Sequence, residues 1–158
     1  MATPVIAKGG PIPPELNVYR ALNPVHMQEG LPGENHFVMR QKHEPGDGVS
    51  LGVAVLITLS QMRSLEVLRQ LFRDEPFGIA ELNVEEALEP VAESGISVIQ
   101  QDDPTWGAYQ AAHAVLTGYQ AFAGAAGKKR ISELQRHLVK LARKRFYPAG
   151  SETATTTE

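Results

Sequence analysis

The C-terminal part of the chain carries the pattern that most constrains the fold. Across residues 128–146, apolar side chains recur every three or four positions, which is the spacing of one face of an α-helix. Pro148 and Gly150 then end the pattern. An isolated helix is only marginally stable in water, so the rest of the chain must supply a surface on which this helix packs. The apolar stripe comprises Ile131, Leu134, Leu138 and Leu141.

Short segments upstream have the pattern of strands and can supply that surface. Residues 16–22 alternate apolar and polar side chains, which is typical of a half-buried strand. Residues 49–57 are apolar and rich in β-branched side chains, so a buried strand is expected to begin there. Shorter strand patterns lie at residues 36–40, 77–82 and 95–99.

Residues 106–118 fit two structures. An alanine-rich face would suit a helix, whereas a strand over residues 112–116 would place His113 and Val115 on one face. We favour the strand.

Two further helices are predicted between the strands. Ser60 can cap the first of them, and Pro76 ends it. Asn83 with Glu86 three residues later resembles a capping box and predicts a short helix over residues 84–89. The apolar positions of the first helix are Met62, Leu65, Leu68 and Phe72.

The irregular order of strands and helices predicts an α+β fold with a mixed or antiparallel sheet, packed helices and a C-terminal amphipathic helix. A chain of 158 residues suits one domain, which we place at residues 16–147. The Gly- and Pro-rich residues 1–15 are expected to be a loose lead, and the polar residues 148–158 a disordered tail. With no cysteine, no signal-peptide pattern and no apolar run long enough for a bilayer, we expect a cytoplasmic protein without a membrane partner.

Residues 34–50 hold the densest group of reactive polar side chains in the chain. Imidazole and carboxylate groups are metal ligands, and histidine is the usual general base near neutral pH. The spacing matches no established metal motif, so no metal site is predicted and no cofactor is identified. Residues 45–48 have turn chemistry, and a solvated loop is therefore the alternative interpretation. The polar side chains in question are His36, His43, Glu44, Asp47 and Ser50.

Arg20, Ser50 and Glu81 lie on three predicted strands. An Arg, a Ser and a Glu drawn from three strands resemble the site of ADP-ribosyltransferases, and residues 19–22 followed by 27–31 resemble how some of these enzymes begin. The resemblance implies that Arg20 holds the phosphates of NAD, that Ser50 supports the site and that Glu81 orients a ribose hydroxyl. The alternative is an Arg20 that pairs with an acidic side chain.

His113 lies in an apolar stretch near several aromatic residues, which could form a ligand pocket around it. Asp102 or Asp103 could orient its ring, whereas the alternative is a hydrogen-bonded histidine of the core. The aromatic residues are Trp106, Tyr109 and Tyr119. The candidate catalytic residues are therefore Arg20, His36, His43, Ser50 and His113.

The predicted C-terminal helix is strongly basic, and its side chains could contact the phosphates of a nucleic acid. The alternative is a solvated helix face whose apolar stripe packs on the sheet. The candidate contacts are Lys128, Lys129, Arg130, Lys140, Arg143, Lys144 and Arg145.

Several short sequence segments resemble those of a group of small, uncharacterised bacterial proteins. The segments that carry the resemblance are residues 18–20, 33–37, 47–51, 78–82 and 113–118. The resemblance implies a bacterial origin and an accessory, toxin–antitoxin or phage-defence context, and it transfers no catalytic role.

Two classes of function follow from the sequence. The first, which we favour, is a small binding or regulatory protein with a protein partner, because no strong catalytic motif is present. The second is an enzyme that uses residues 34–50, either an NAD-dependent ADP-ribosyltransferase or a His-dependent hydrolase. The enzyme class requires that Arg20, His113 and the polar side chains of residues 34–50, which we call the polar block, come together in space. The binding class has no such requirement.

Overall fold

A six-stranded antiparallel sheet organises the residues that the structure describes. The computed structural model describes residues 6–37, 49–92, 95–118, 124–151 and 153–154. The strand order is β4-β5-β2-β1-β3-β6, and every neighbouring pair is antiparallel. The strands are β1 (Asn17–Leu22), β2 (Val49–Val53), β3 (Gly78–Asn83), β4 (Ser97–Gln100), β5 (His113–Thr117) and β6 (Phe146–Tyr147). The α+β class is confirmed, and the sheet is antiparallel rather than mixed.

Helices cover both faces of this sheet. The α-helices are α1 (Leu59–Arg63), α2 (Glu66–Leu71), α3 (Val84–Leu88) and α4 (Gly124–Lys144). In the described ranges, 3₁₀ segments lie at Pro24–His26, Glu34–Phe37, Glu89–Val91 and Pro104–Ala112. One core joins the sheet to α3 and α4, whereas a second core joins the opposite face to α1, α2 and the segment around Trp106. We call these the α4 face and the α1 face of the sheet.

The C-terminal helix forms as the apolar periodicity predicts. Helix α4 begins at Gly124, four residues before the predicted start, and its stripe packs into the larger core. Leu134 and Leu138 are fully buried there, whereas Leu141 packs at the edge of the core. Burial of such side chains is worth about 1.5–3 kcal/mol each, so α4 is one of the main stabilising elements.

Other predicted elements form with shifted boundaries. The second strand expected at residues 36–40 is absent at its start, because Glu34–Phe37 is a 3₁₀ segment, and residues 38–40 lie outside the described residues. Asn83 caps α3 by accepting from the backbone N–H of Glu86, as expected. Within residues 106–118 the favoured strand forms, since β5 begins at His113, whereas the residues before it form a 3₁₀ segment that ends at Ala112 rather than the alternative α-helix.

The single helix expected after Ser60 is two short helices. The cap is Thr58, whose side chain accepts from the N–H of Gln61 while the Gln61 side chain accepts from the N–H of Thr58. The helix is interrupted after Arg63, and Leu65 is extended before α2 begins. The four apolar positions predicted for one helix are nevertheless all buried in the second core.

Part of the lead that was expected to be loose is attached to the sheet. Pro11 forms a β-bridge with Ile99, and the N–H of Ile12 donates to the carbonyl of Val98. Ile12 is buried in the larger core. Residues 9–12 therefore extend the β4 edge of the sheet.

Candidate functional site

Ser50 and His113 meet on the α1 face of the sheet. They lie on the adjacent strands β2 and β5, where Ser50 pairs with Val115 and Gly52 pairs with His113. Side chains two residues apart on a strand share a face, so Ser50 and His113 are diagonal neighbours. Their side chains form a hydrogen bond of 2.7 Å between Ser50 Oγ and His113 Nε2.

The second ring nitrogen of His113 fixes the direction of that hydrogen bond. His113 Nδ1 lies 2.7 Å from the carbonyl oxygen of Gln101, which can only accept. The neutral ring therefore carries its proton on Nδ1, and Nε2 accepts from the hydroxyl of Ser50. The hydroxyl of Ser50 thus donates to a histidine that a third group holds in one tautomer. Activated serine nucleophiles have this arrangement.

The pair lies in a desolvated environment. His113 is 4% exposed, and the Trp106 ring packs edge-on against it with 4.8 Å between ring centroids. Ser50 is half-buried, so its hydroxyl is closer to solvent than the ring of its partner. The Trp106 contact shields one side of His113 from water and restricts the motion of its imidazole.

Asp103 places a carboxylate near the same ring. Its Oδ2 lies 3.9 Å from His113 Nε2, whereas its Oδ1 accepts from the N–H and the hydroxyl of Thr105. The carboxylate is too far away for a hydrogen bond, and it places a negative charge beside Nε2. Of the two acids proposed to orient His113, Asp103 faces the ring, and Asp102 pairs with Lys8 instead.

Arg20 connects the two described ends of the polar block. Its Nε donates to the carbonyl of His36 at 3.0 Å, and its Nη1 donates to the carbonyl of Ser50 at 2.9 Å. Burial lowers the pKa of its guanidinium to about 10. Within the described ranges no carboxylate lies within 4 Å of Arg20, so the alternative of a strand arginine paired with an acid is not what these residues form.

His36 is held by backbone groups on both ring nitrogens. Nε2 lies 2.9 Å from the carbonyl of Asn23 and therefore donates to it, and Nδ1 accepts from the N–H of Gly33. The ring is 2% exposed, and its burial lowers the pKa of His36. Because backbone groups engage both nitrogens, this imidazole has no free nitrogen to offer a substrate, which makes it a structural residue of the turn.

The remaining members of the polar block, His43, Glu44 and Asp47, lie outside the described residues. Among the residues that are described, no three His, Asp or Glu side chains are grouped closely enough to hold a metal ion.

Glu81 anchors a separate network near the β6 edge of the sheet. Its carboxylate accepts from Tyr147 Oη at 2.9 Å and Asn17 Nδ2 at 2.6 Å, and it pairs with Arg145 at 3.2 Å. Burial and the Glu81 carboxylate raise the pKa of Tyr147 to about 12, and that of Tyr19 is raised as well.

The triad suggested by the ADP-ribosyltransferase pattern does not converge. Arg20 shares a face of β1 with Val18 and Leu22, which pack on the α4 face, whereas Glu81 pairs directly with Tyr19 and faces the α1 side. The register His113–Gly52–Tyr19–Glu81 spans three strand spacings, or about 14 Å. Glu81 is thus remote from the Ser50–His113 pair.

Several of the basic candidates on and after α4 bind within the chain. Arg143 Nε donates to the carbonyl of Pro32 at 2.9 Å, and Arg145 pairs with Glu81. Arg130 lies 3.5 Å from the carbonyl of Pro90. The remaining candidates, Lys128, Lys129, Lys140 and Lys144, are exposed.

Two contributors to the site were missed at the sequence level. The carbonyl of Gln101 fixes the His113 tautomer, but a backbone group leaves no signal in the sequence. Gly52 gives the space in which Met62, Ile57 and Trp106 pack over β2. A glycine inside an otherwise apolar strand pattern is a signal of close approach and could have been noticed.

Comparison with known proteins gives no further assignment. The chain matches no family model, and neither a curated protein nor a solved structure shows significant similarity to it. In the part of the chain that the structure describes, no helix has the length and apolar character needed to span a membrane.

Proposed function

We propose that this protein is a hydrolase that cleaves an acyl ester through Ser50, with His113 as the general base. The observation that carries the proposal is the hydrogen bond of 2.7 Å between Ser50 Oγ and His113 Nε2, combined with the equally short contact from His113 Nδ1 to the Gln101 carbonyl. A histidine held in this way can take the serine proton as the hydroxyl attacks.

The reaction would follow the usual two steps of acyl transfer. Ser50 Oγ forms a bond to the ester carbonyl carbon while its proton moves to His113 Nε2, and that proton then leaves with the alcohol. Water next attacks the acyl-enzyme with its proton taken by Nε2, which releases the carboxylic acid and restores Ser50. Asp103, 3.9 Å from Nε2, would stabilise the imidazolium in both steps.

Two features of the site favour the hydrolase over the transferase that the sequence also suggested. The guanidinium of Arg20 is bonded to two carbonyls and lies on the α4 face, away from the Ser50 hydroxyl. Glu81 is engaged by Tyr147, Asn17 and Arg145. A regulatory or defence role with a protein partner rests on the resemblance to small bacterial proteins and on the lack of a strong catalytic motif in the sequence.

The test is hydrolysis of p-nitrophenyl acetate by the purified full chain. Ser50→Ala and His113→Gln are both expected to lower kcat/KM at least about 100-fold, as removal of a nucleophile or a general base does. Ser132→Ala is the matched control, because Ser132 is an exposed serine on α4. Circular dichroism and thermal melts confirm that each variant is folded.

The proposal is overturned if folded Ser50→Ala keeps the wild-type rate, or if the wild-type protein does not exceed the buffer rate. It is also overturned if Ser132→Ala lowers the rate as much as Ser50→Ala, since the hydrolysis would then not depend on the site.

A further inference from the structure

Helix α4 has two faces of opposite character. Its apolar side lies in the larger core, whereas Lys129, Arg136, Lys140 and Lys144 are exposed. These four residues are spaced by seven, four and four positions, which places them on one side of the helix. At 1.5 Å per residue the row is about 22 Å long. We call it the basic row.

The basic row carries four cations, and Glu133, four positions after Lys129, is the one acidic side chain on the same side of the helix. Over the described residues, no carboxylate lies within 4 Å of any of its four cations. Residues 124–145 contain eight basic side chains and one acidic side chain, Glu133, whereas the rest of the chain contains seven basic and 17 acidic side chains. The positive charge of the protein is thus concentrated along one helix, although the net charge is −3.

We propose that the basic row binds the phosphate backbone of a nucleic acid. An acidic protein is the other partner with complementary charge, but Trp and Tyr are among the main anchors of protein interfaces, and the sequence of α4 contains no aromatic residue. The large apolar side chains exposed in the described chain are Val25, Val55, Leu56 and Leu71, and none of them lies on α4. A surface of cations without such anchors suits phosphates, which are bound through charge.

The same composition predicts how the complex behaves. Contacts to phosphates carry no sequence information, so the predicted binding is sequence-independent. Because phosphate contacts release counterions, affinity falls steeply with salt. The row lies on the opposite side of the sheet from the Ser50 hydroxyl, so nucleic-acid binding is independent of the proposed hydrolysis.

The test is the fluorescence anisotropy of a labelled DNA duplex of mixed sequence, titrated with the full chain at about 50 and 200 mM salt. Four phosphate contacts predict a slope of log K against log salt of about −3.6, which corresponds to about 150-fold weaker binding at the higher salt. The double variant Arg136→Gln/Lys140→Gln should halve the slope, to a salt effect of about 12-fold.

The control variant removes the same charge elsewhere. Arg69→Gln/Arg73→Gln changes two exposed arginines on and just after α2, on the other face of the sheet, and should leave the slope at the wild-type value. The proposal is overturned if the wild-type protein does not bind at the lower salt, or if both double variants weaken binding equally. Tighter binding to polyglutamate than to the duplex would also overturn it and would indicate an acidic protein partner.

Discussion

Replacing Gly52 by alanine or valine tests how packing over β2 holds the Ser50–His113 pair in place. Gly52 pairs with His113 on one side and with Tyr19 on the other, at the centre of the sheet. Its φ is not positive, so the backbone does not require glycine, and any effect of a substitution comes from space.

The expected cost follows from the distances around the missing side chain. A Cβ at position 52 would lie 3.1 Å from Met62 Sδ, 3.2 Å from Ile57 Cγ2 and 3.4 Å from Trp106 Cη2. These separations are shorter than the optimum of about 3.5–4.0 Å. Overpacking of this kind costs about 1–3 kcal/mol, and alanine regains about 0.5–1 kcal/mol because glycine weakens a strand. We therefore expect Gly52→Ala to lower the free energy of unfolding by about 1 kcal/mol, and Gly52→Val by about 3 kcal/mol.

Guanidinium unfolding followed by the fluorescence of Trp106, the single tryptophan, measures this cost. The rate of ester hydrolysis by the Gly52 variants should fall together with their stability, because Trp106 packs over Gly52 and also contacts the His113 ring. Met62→Ala alone should cost about 2–5 kcal/mol, but it makes room for the new methyl group. The Gly52→Ala/Met62→Ala double variant should therefore cost at least about 0.5 kcal/mol less than the sum of the single variants. Additive costs, or a Gly52→Val variant as stable and active as the wild type, would refute this account of the packing.

Three further variants test the contacts around the site. The guanidinium of Arg20 donates to the carbonyls of both His36 and Ser50, and Arg20→Lys puts a point charge in place of this forked donor. Urea unfolding should show that the free energy of unfolding falls by about 1.5–3 kcal/mol. An unchanged urea midpoint would contradict the bridging role. The pKa of Tyr147 is raised from 10.0 to about 12, so the unfolded state releases this proton first and the contribution of Tyr147 to the free energy of unfolding falls as pH rises from 10 to about 12. Arg20, whose pKa is lowered to about 10, contributes in the opposite direction over the same range, so the test is the difference in stability between the wild type and Tyr147→Phe. That difference should shrink as pH rises, and a difference that does not change with pH would count against the Tyr147–Glu81 contact. The pKa of His36 is lowered from 6.5, so the unfolded state takes up a proton first and the free energy of unfolding should fall as pH drops below 6.5. His36→Gln should remove that part of the acid dependence. An acid profile identical to that of the wild type would contradict the buried neutral ring.

Local patterns predicted much of the fold. The stripe of α4, the Asn83 cap and the strand that begins at Val49 all depend on neighbours within a few residues, and they form as the sequence indicates. The strand predicted for residues 36–40 was wrong at its start, because His36 and Phe37 belong to the 3₁₀ segment Glu34–Phe37, whose geometry depends on distant groups. The carbonyl of Asn23 and the guanidinium of Arg20 hold it in a 3₁₀ conformation.

The candidate site was harder to predict than the fold. Ser50 and His113 were both singled out from the sequence, but 63 positions separate them. Their contact depends on β2 and β5 being neighbours, and strand order is set by tertiary packing rather than by local propensity. Arg20 and Glu81 lie on opposite faces of the sheet, and this could likewise not be predicted without the register between β1 and β3. A shift of one residue in that register would have reversed the outcome.

Covalent labelling with a fluorophosphonate, followed by mass mapping of the modified peptide, tests the central claim most directly. Such a probe reacts with a serine only when a neighbouring base activates its hydroxyl. We predict one adduct, on Ser50, which is absent from folded His113→Gln protein. Failure of Ser50 to react in the wild-type protein, or equal labelling of Ser50 without His113, would contradict a nucleophile activated by this histidine.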